Sequence, residues 1–273
     1  MRKFLQYILL AGLLATTGCP RPGEVVSNPW LVPFQKRHAS DISRSQMRAM
    51  ARLAHIYKDR GMEKEYGGAL TTAVELYAGD RTVTFELLNY LIDGINRTRQ
   101  NLAGLKSQLA RAGVDTKTLS PDALPESEPI RSTAIAYLDL HDKLEAQYKE
   151  CYRILSNACC QIPYDADLYY RTAGLQFLRA DENGDREKYR DAVNYLKRAI
   201  ASDSGHLESY YLIALCFERL GDKDRAVRFW QLFETIYEVG PQVMGAGFIT
   251  PDRERLHREA VAHLQQLGAP SEE

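Results

Sequence analysis

The chain has 273 residues, of which 45% are hydrophobic and 26% charged; this balance excludes disorder and collagen and suits one large folded domain or two small ones. Lys and Arg total 35 against 36 Asp and Glu, so no overall charge directs the chain to nucleic acid or to an anionic membrane surface. At the N-terminus, Arg2 and Lys3 precede residues 4–17, FLQYILLAGLLATT. That apolar run is shorter than the roughly 20 residues of a membrane span and has the charge-then-apolar order of a secretory leader.

Gly18-Cys19 follows the run directly. A cysteine after small residues at the end of such a leader resembles the lipobox of bacterial lipoproteins. The resemblance implies that residues 1–18 are a signal peptide cut before Cys19, which would carry the lipid. With Pro20 next rather than Asp, it further implies an outer-membrane anchor facing the periplasm. Loss of Arg2 and Lys3 would leave 33 basic against 36 acidic residues. Residues 20–45, PRPGEVVSNPWLVPFQKRHASDISRS, hold four prolines and no sustained period, so 19–45 is expected to be a lipidated tether. Its apolar Trp30, Leu31, Val32 and Phe34 would pack along the first helices or dock a partner.

Beyond the tether, proline placement divides the chain. No proline occurs between residues 34 and 120, 130 and 162, or 164 and 240, whereas Pro121, Pro125 and Pro129 cluster in SPDALPESEP. Because proline breaks helix interiors, residues 46–113 and 131–240 are expected to be helical, with a proline-rich loop over 114–130. Leu88, Ile92, Ile95, Leu102, Leu105 and Leu109 recur at helical steps, and TVTF at residues 82–85 runs straight into that pattern rather than forming a strand. FITPDRERLHREAVAHLQQLG predicts a helix from Thr250, with Pro251 in its first turn and Asp252 and Glu254 near its positive end. Residues 241–273 are thus a capping helix and tail, and the fold class is all-α.

A repeat runs through the second helical region. Ala192-Val193 and Ala226-Val227 stand 34 residues apart, each followed by a bulky residue, Leu196 or Trp230, while Tyr170, Ala173, Gly174 and Phe177 answer Tyr210, Ile213, Ala214 and Phe217 at an offset of 40. The difference sits between the paired blocks, where DENGDREKYRD in the first unit faces GDKDR in the second, and is assigned to an insertion in the first unit's turn. These residues resemble the tetratricopeptide repeat, a 34-residue helix-turn-helix. The resemblance covers residues 167–240, and a degenerate echo over 47–80 keeps Met50, Leu53, Ala54, Tyr57 and Gly61 but has Tyr66 in the alanine slot. It implies antiparallel helical hairpins stacked as a superhelix, whose first helices line a binding face.

With Ala173, Gly174 and Phe177 on the inner face of one helix and Ile213, Ala214 and Phe217 on that of the next, the residues left for a groove are Arg171, Leu175, Leu178, Tyr211, Leu215, Glu218 and Arg219. An apolar stripe edged by charge suits an extended or helical peptide. The chain is therefore expected to be an envelope-anchored binding or assembly scaffold for a protein or peptide partner, not an enzyme. The alternative is a transporter accessory enclosing a small apolar molecule.

Residues that could carry chemistry are expected to be structural. Cys216 sits between Leu215 and Phe217 with no histidine placed to activate it. Cys151, Cys159 and Cys160 show no metal-ligand spacing, and a disulfide from Cys159 or Cys160 to Cys216 stands beside the alternative of separate thiols. Asp181, Asn183, Asp185 and Glu187 alternate like calcium ligands, but Arg186 replaces the required glycine and Ala192 the closing acid. His257 and His263 lie six apart, on different helix faces. No cofactor or metal motif is found.

Overall fold

The computed structural model describes residues 32–268, among which nine α-helices and one 3-10 turn are joined by loops, with no strand. The chain divides into two units, residues 1–45 and 46–273. Within the first, the described residues are the opening of helix α1 (Val32–Asp59); residues 1–18, expected to be a signal peptide, and Cys19 lie outside the described residues. That helix starts inside the stretch expected to be a tether. All four prolines of the stretch stand at or before its first turn, Pro33 being its second residue, where a missing N–H leaves no helical bond unmade.

In the second unit the helices pair in chain order. Met47, Ala51 and Ala54 of α1 share a core with Ala69, Leu70 and Ala73 of α2 (Glu63–Leu76). Helices α3 (Arg81–Arg111) and α4 (Glu128–Gln161) form a long antiparallel hairpin, with Ile95 and Leu144 in one core cluster and Leu109 and Ala134 in another. The proline-rich connection folds back, since Val114, Leu119 and Leu124 pack on the hairpin tip around Leu109 and Tyr137. Next come the hairpins α5 (Ala166–Asn183) with α6 (Arg186–Ser202) and α7 (Leu207–Leu220) with α8 (Lys223–Met244), then the cap α9 (Pro251–Gln266). Contacts of α5 with α7 and of α7 with α9 join alternate helices into one layer of the stack.

The turns correct one expectation. Both repeat hairpins turn on the same pair, Gly184-Asp185 and Gly221-Asp222, with each glycine left-handed (φ 65° and 76°) and each aspartate capping the next helix. A left-handed residue suits glycine, which lacks the Cβ that would clash. These glycines stand 37 residues apart, against 40 for the residues before them and 34 for those after. The extra six residues are therefore not in the turn. Three fall before the glycine, within an α5 of 18 residues against 14 in α7, and three lie on the far side, in α6. Each addition is nearly one helical turn, so both inner faces keep their register.

Ala173, Ala192, Ala199, Ala214 and Ala226 are fully buried, as close helix crossings require, and Trp230 and Phe233 fill the space beside Ala214 beneath the cap. Fully burying such an aromatic stabilises by about 2–3 kcal/mol. Gly174 departs from its expected packing role: it is half-buried, and no atom would lie within 4 Å of an added Cβ. At Gly67 of α2, an added Cβ would overlap the Tyr90 ring of α3.

Candidate functional site

The seven residues expected to line a groove are drawn largely into seams between neighbouring helices. On α5, the Arg171 Nη1 donates to Asn89 Oδ1 at 2.7 Å, and its guanidinium lies over the Phe85 ring of α3 at 4.7 Å. Leu175 is buried and Leu178 partly buried against the core shared with α3 and α4. On α7, the Tyr211 hydroxyl donates to Glu259 Oε2 at 2.5 Å and its ring stands edge-on to Trp230; burial first, then the Glu259 bond, push this phenol above its ordinary value. Glu218 accepts from Trp230 Nε1 at 2.6 Å and meets His263 Nδ1 at 3.0 Å. Leu215 packs between two core clusters, and Arg219 reaches back to Asp181 at 3.0 Å.

In the α7 part of the stripe, Tyr211, Leu215 and Glu218 are partly covered by α8 and the cap, while Arg219 stays exposed. The α5 part survives as one wall of a cleft of about 360 Å³, opposite Ile92 and Ile95 of α3. A side chain that packs on the next unit and one that faces a groove have the same helical spacing, so the sequence does not separate the two.

A face of α3 remains open. Asn89, Asp93, Asn96 and Gln100 follow at steps of four, three and four, which aligns them on one side of the helix, and all four are exposed. They line a cleft of about 660 Å³ with Lys58, Tyr66 and Arg97, and Asn96 and Gln100 also border a second of about 530 Å³ beside Tyr137, His141 and Glu145. An amide side chain offers donors and an acceptor together, the pairing presented by a peptide backbone. Beside the second cleft, ion pairs Arg99–Glu182 and Arg179–Glu145 tie α3 and α4 to α5. The Tyr148 hydroxyl donates to Glu182 at 2.9 Å; burial, followed by the Glu182 charge, raises that phenol.

Neither a protein-family model nor a curated protein sequence matches the chain. Among solved structures it aligns with a crystal structure of MamA protein at 16% identity, covering 76% of this chain and 98% of that one, with a TM-score of 0.36. It also aligns with a thermophilic TPR protein of Thermus thermophilus at 16% identity over 79% and 99% of the two chains, with a TM-score of 0.35. For the TPR2AB domain of yeast Sti1 in its pHSP90 complex the values are 14%, 80%, 71% and 0.33. Likenesses at this level leave the architecture to rest on the helices described above.

The α3 face was passed over in the sequence because its middle region matches the repeat poorly. A signal is nevertheless present: Asn and Asp are weak helix formers, and three of them stand at helical spacing inside a 31-residue helix.

The candidate chemical groups resolve structurally. All four described cysteines are free thiols. Cys216 is fully buried, and burial pushes its thiol up to about 12, away from the thiolate a nucleophile needs. Asp181 accepts from Tyr189 and Arg219, and Asp185 caps α6, so the calcium-like alternation is a helix junction. His257 stacks on Tyr237 and His263 on Trp230. Ser209 Oγ lies 2.9 Å from His206 Nδ1, and His206 Nε2 lies 3.2 Å from Asp167 Oδ1, the components of a hydrolytic triad. Ser209 has no exposed surface, and the chain of bonds instead couples the starts of α5 and α7.

Proposed function

We propose that this chain is an envelope-anchored scaffold that holds a protein or peptide partner against the exposed face of α3. The observation that carries this reading is the row Asn89, Asp93, Asn96 and Gln100 set between clefts of about 660 and 530 Å³. A peptide laid along α3 could pair its backbone with the amides while its side chains enter the clefts. The anchor part rests on the leader and on Gly18-Cys19, with Cys19 lipidated and the protein held at the outer membrane on its periplasmic side. The stack of hairpins supplies rigidity, because a rigid surface loses less entropy on binding than a loop would.

A photo-crosslinking residue placed at Asn96 in intact cells should capture a discrete partner, which mass spectrometry would identify. Replacing Asn96 and Gln100 together with alanine should weaken that partner by about 1 kcal/mol for each backbone pairing lost, with helicity and melting unchanged. Capture of the same partner at unchanged yield by the double variant would remove α3 as the binding face.

A further inference from the structure

The cleft between α6 and α8 is lined by cations that the fold leaves largely unneutralised. Arg186, Arg190, Asn194 and Lys197 follow along one face of α6, and Arg225 of α8 joins them around a volume of about 420 Å³ walled by Phe217 and Val193. Two of the cations are positioned from behind. Arg186 Nη2 donates to the Leu220 carbonyl at 2.6 Å, and Arg225 lies over the Phe217 ring at 4.7 Å while pairing with Asp222. Arg190 and Lys197 are exposed, and among the described residues neither is paired with an acid. Asp222 is the one acid lining the cleft, and Arg225 already occupies it. Basic and acidic residues nearly balance over the whole chain, so four cations around one cleft are a local excess. Like charges four residues apart on a helix repel, and a bound anion relieves that repulsion.

We propose that this cleft binds a carboxylate-rich extended segment of a partner protein. An arginine fork takes a carboxylate through two parallel hydrogen bonds. Side chains four apart on a helix are separated by about 6 Å along its axis, close to the roughly 6.6 Å between alternate side chains of an extended chain. Successive outward acids of one strand can therefore meet Arg186 and Arg190 in turn, with Lys197 further along and Asn194 able to bond the intervening backbone. The cations line a recess between two helices, which suits an extended chain better than the flat surface of a bilayer. The site shares no residue with the α3 face, and either can fail without the other.

Fluorescence anisotropy of the purified full chain with fluorescein-labelled hexaglutamate tests this. Saturable binding that weakens as salt is raised is expected, with labelled hexaglutamine left unbound. Arg190→Glu with Lys197→Glu should weaken binding tenfold or more at unchanged helicity. Arg131→Glu, at an exposed position on α4, should leave it as it was. Were the double reversal to misfold, the neutral pair Arg190→Gln and Lys197→Gln should still weaken binding several-fold. Absence of saturable hexaglutamate binding overturns the proposal, as does equal binding by a folded double variant. Binding to phosphatidylglycerol vesicles that the double variant loses, with no binding to the peptide, would reassign the cleft to a membrane surface.

Discussion

Ala214 and Gly174 occupy equivalent places in successive repeats, yet their surroundings oppose each other. Ala214 is fully buried beside Trp230 and Phe233, whereas an added Cβ at Gly174 would meet nothing. Ala214→Leu should lower stability by about 1–3 kcal/mol through overpacking. Gly174→Ala should raise it by up to about 1 kcal/mol, because alanine loses less backbone freedom in a helix interior. Thermal melts of both variants check this, and equal losses would contradict the packing described for Gly174. The thiols divide in the same way. Cys160 is exposed, while Cys151 and Cys216 are buried with thiols pushed up to about 12. Brief iodoacetamide treatment followed by peptide mapping should modify Cys160 first and reach Cys151 and Cys216 only after denaturation. Early labelling of Cys216 would restore it as a reactive group.

At the level of elements, the cap is held by chemistry as well as by apolar contact. Thr250 caps α9, Pro251 is its first residue, and Asp252 and Glu254 stand in its first turn, where their charge complements the helix dipole. From α9, Arg253 donates to both oxygens of Glu208 on α7, at 2.8 and 3.2 Å, and to the Phe248 carbonyl at 3.2 Å. Burial, the largest single influence, would raise Glu208, but the Arg253 hydrogen bond, a backbone hydrogen bond and the charges of Arg253 and His206 together outweigh it and hold the carboxyl below its ordinary 4.5. The native state therefore releases this proton more readily than the unfolded chain does. The resulting stability is present above the ordinary value and fades as pH falls through the lowered native one. Glu208→Gln should cost about 2 kcal/mol at neutral pH and progressively less toward about pH 3. Urea unfolding at both pH values measures the gap, and a gap that did not narrow in acid would show that the Glu208 charge is not what holds the cap.

For the molecule as a whole, the described helices include none long and apolar enough to cross a membrane; the proposed envelope attachment rests on Cys19. Cys19→Ser should abolish fatty-acid labelling and move the protein from the membrane to the soluble fraction. Labelling that persisted would dismiss the lipid anchor. The helical class, the α5–α8 hairpins and the capping helix were legible in the sequence, since each depends on local features: proline-free spans, residues recurring every three or four, small residues at crossings, and Thr250-Pro251 at a helix start. Local chemistry also explains why Gly184-Asp185 and Gly221-Asp222 make the same turn. Which face of each helix stays open was not legible. Arg171 and Tyr211 have the same spacing, and only the placement of α3 and α9 beside them shows that Arg171 borders a cleft while Tyr211 bonds to Glu259 of the cap. The cation-lined cleft likewise requires Arg225 to stand beside a stripe on a different helix, a juxtaposition no linear pattern contains. Periodicity determines that a helix has faces, because side-chain direction follows from backbone geometry alone. Which of those faces meets water is decided by the long-range packing that assigns each helix its neighbours.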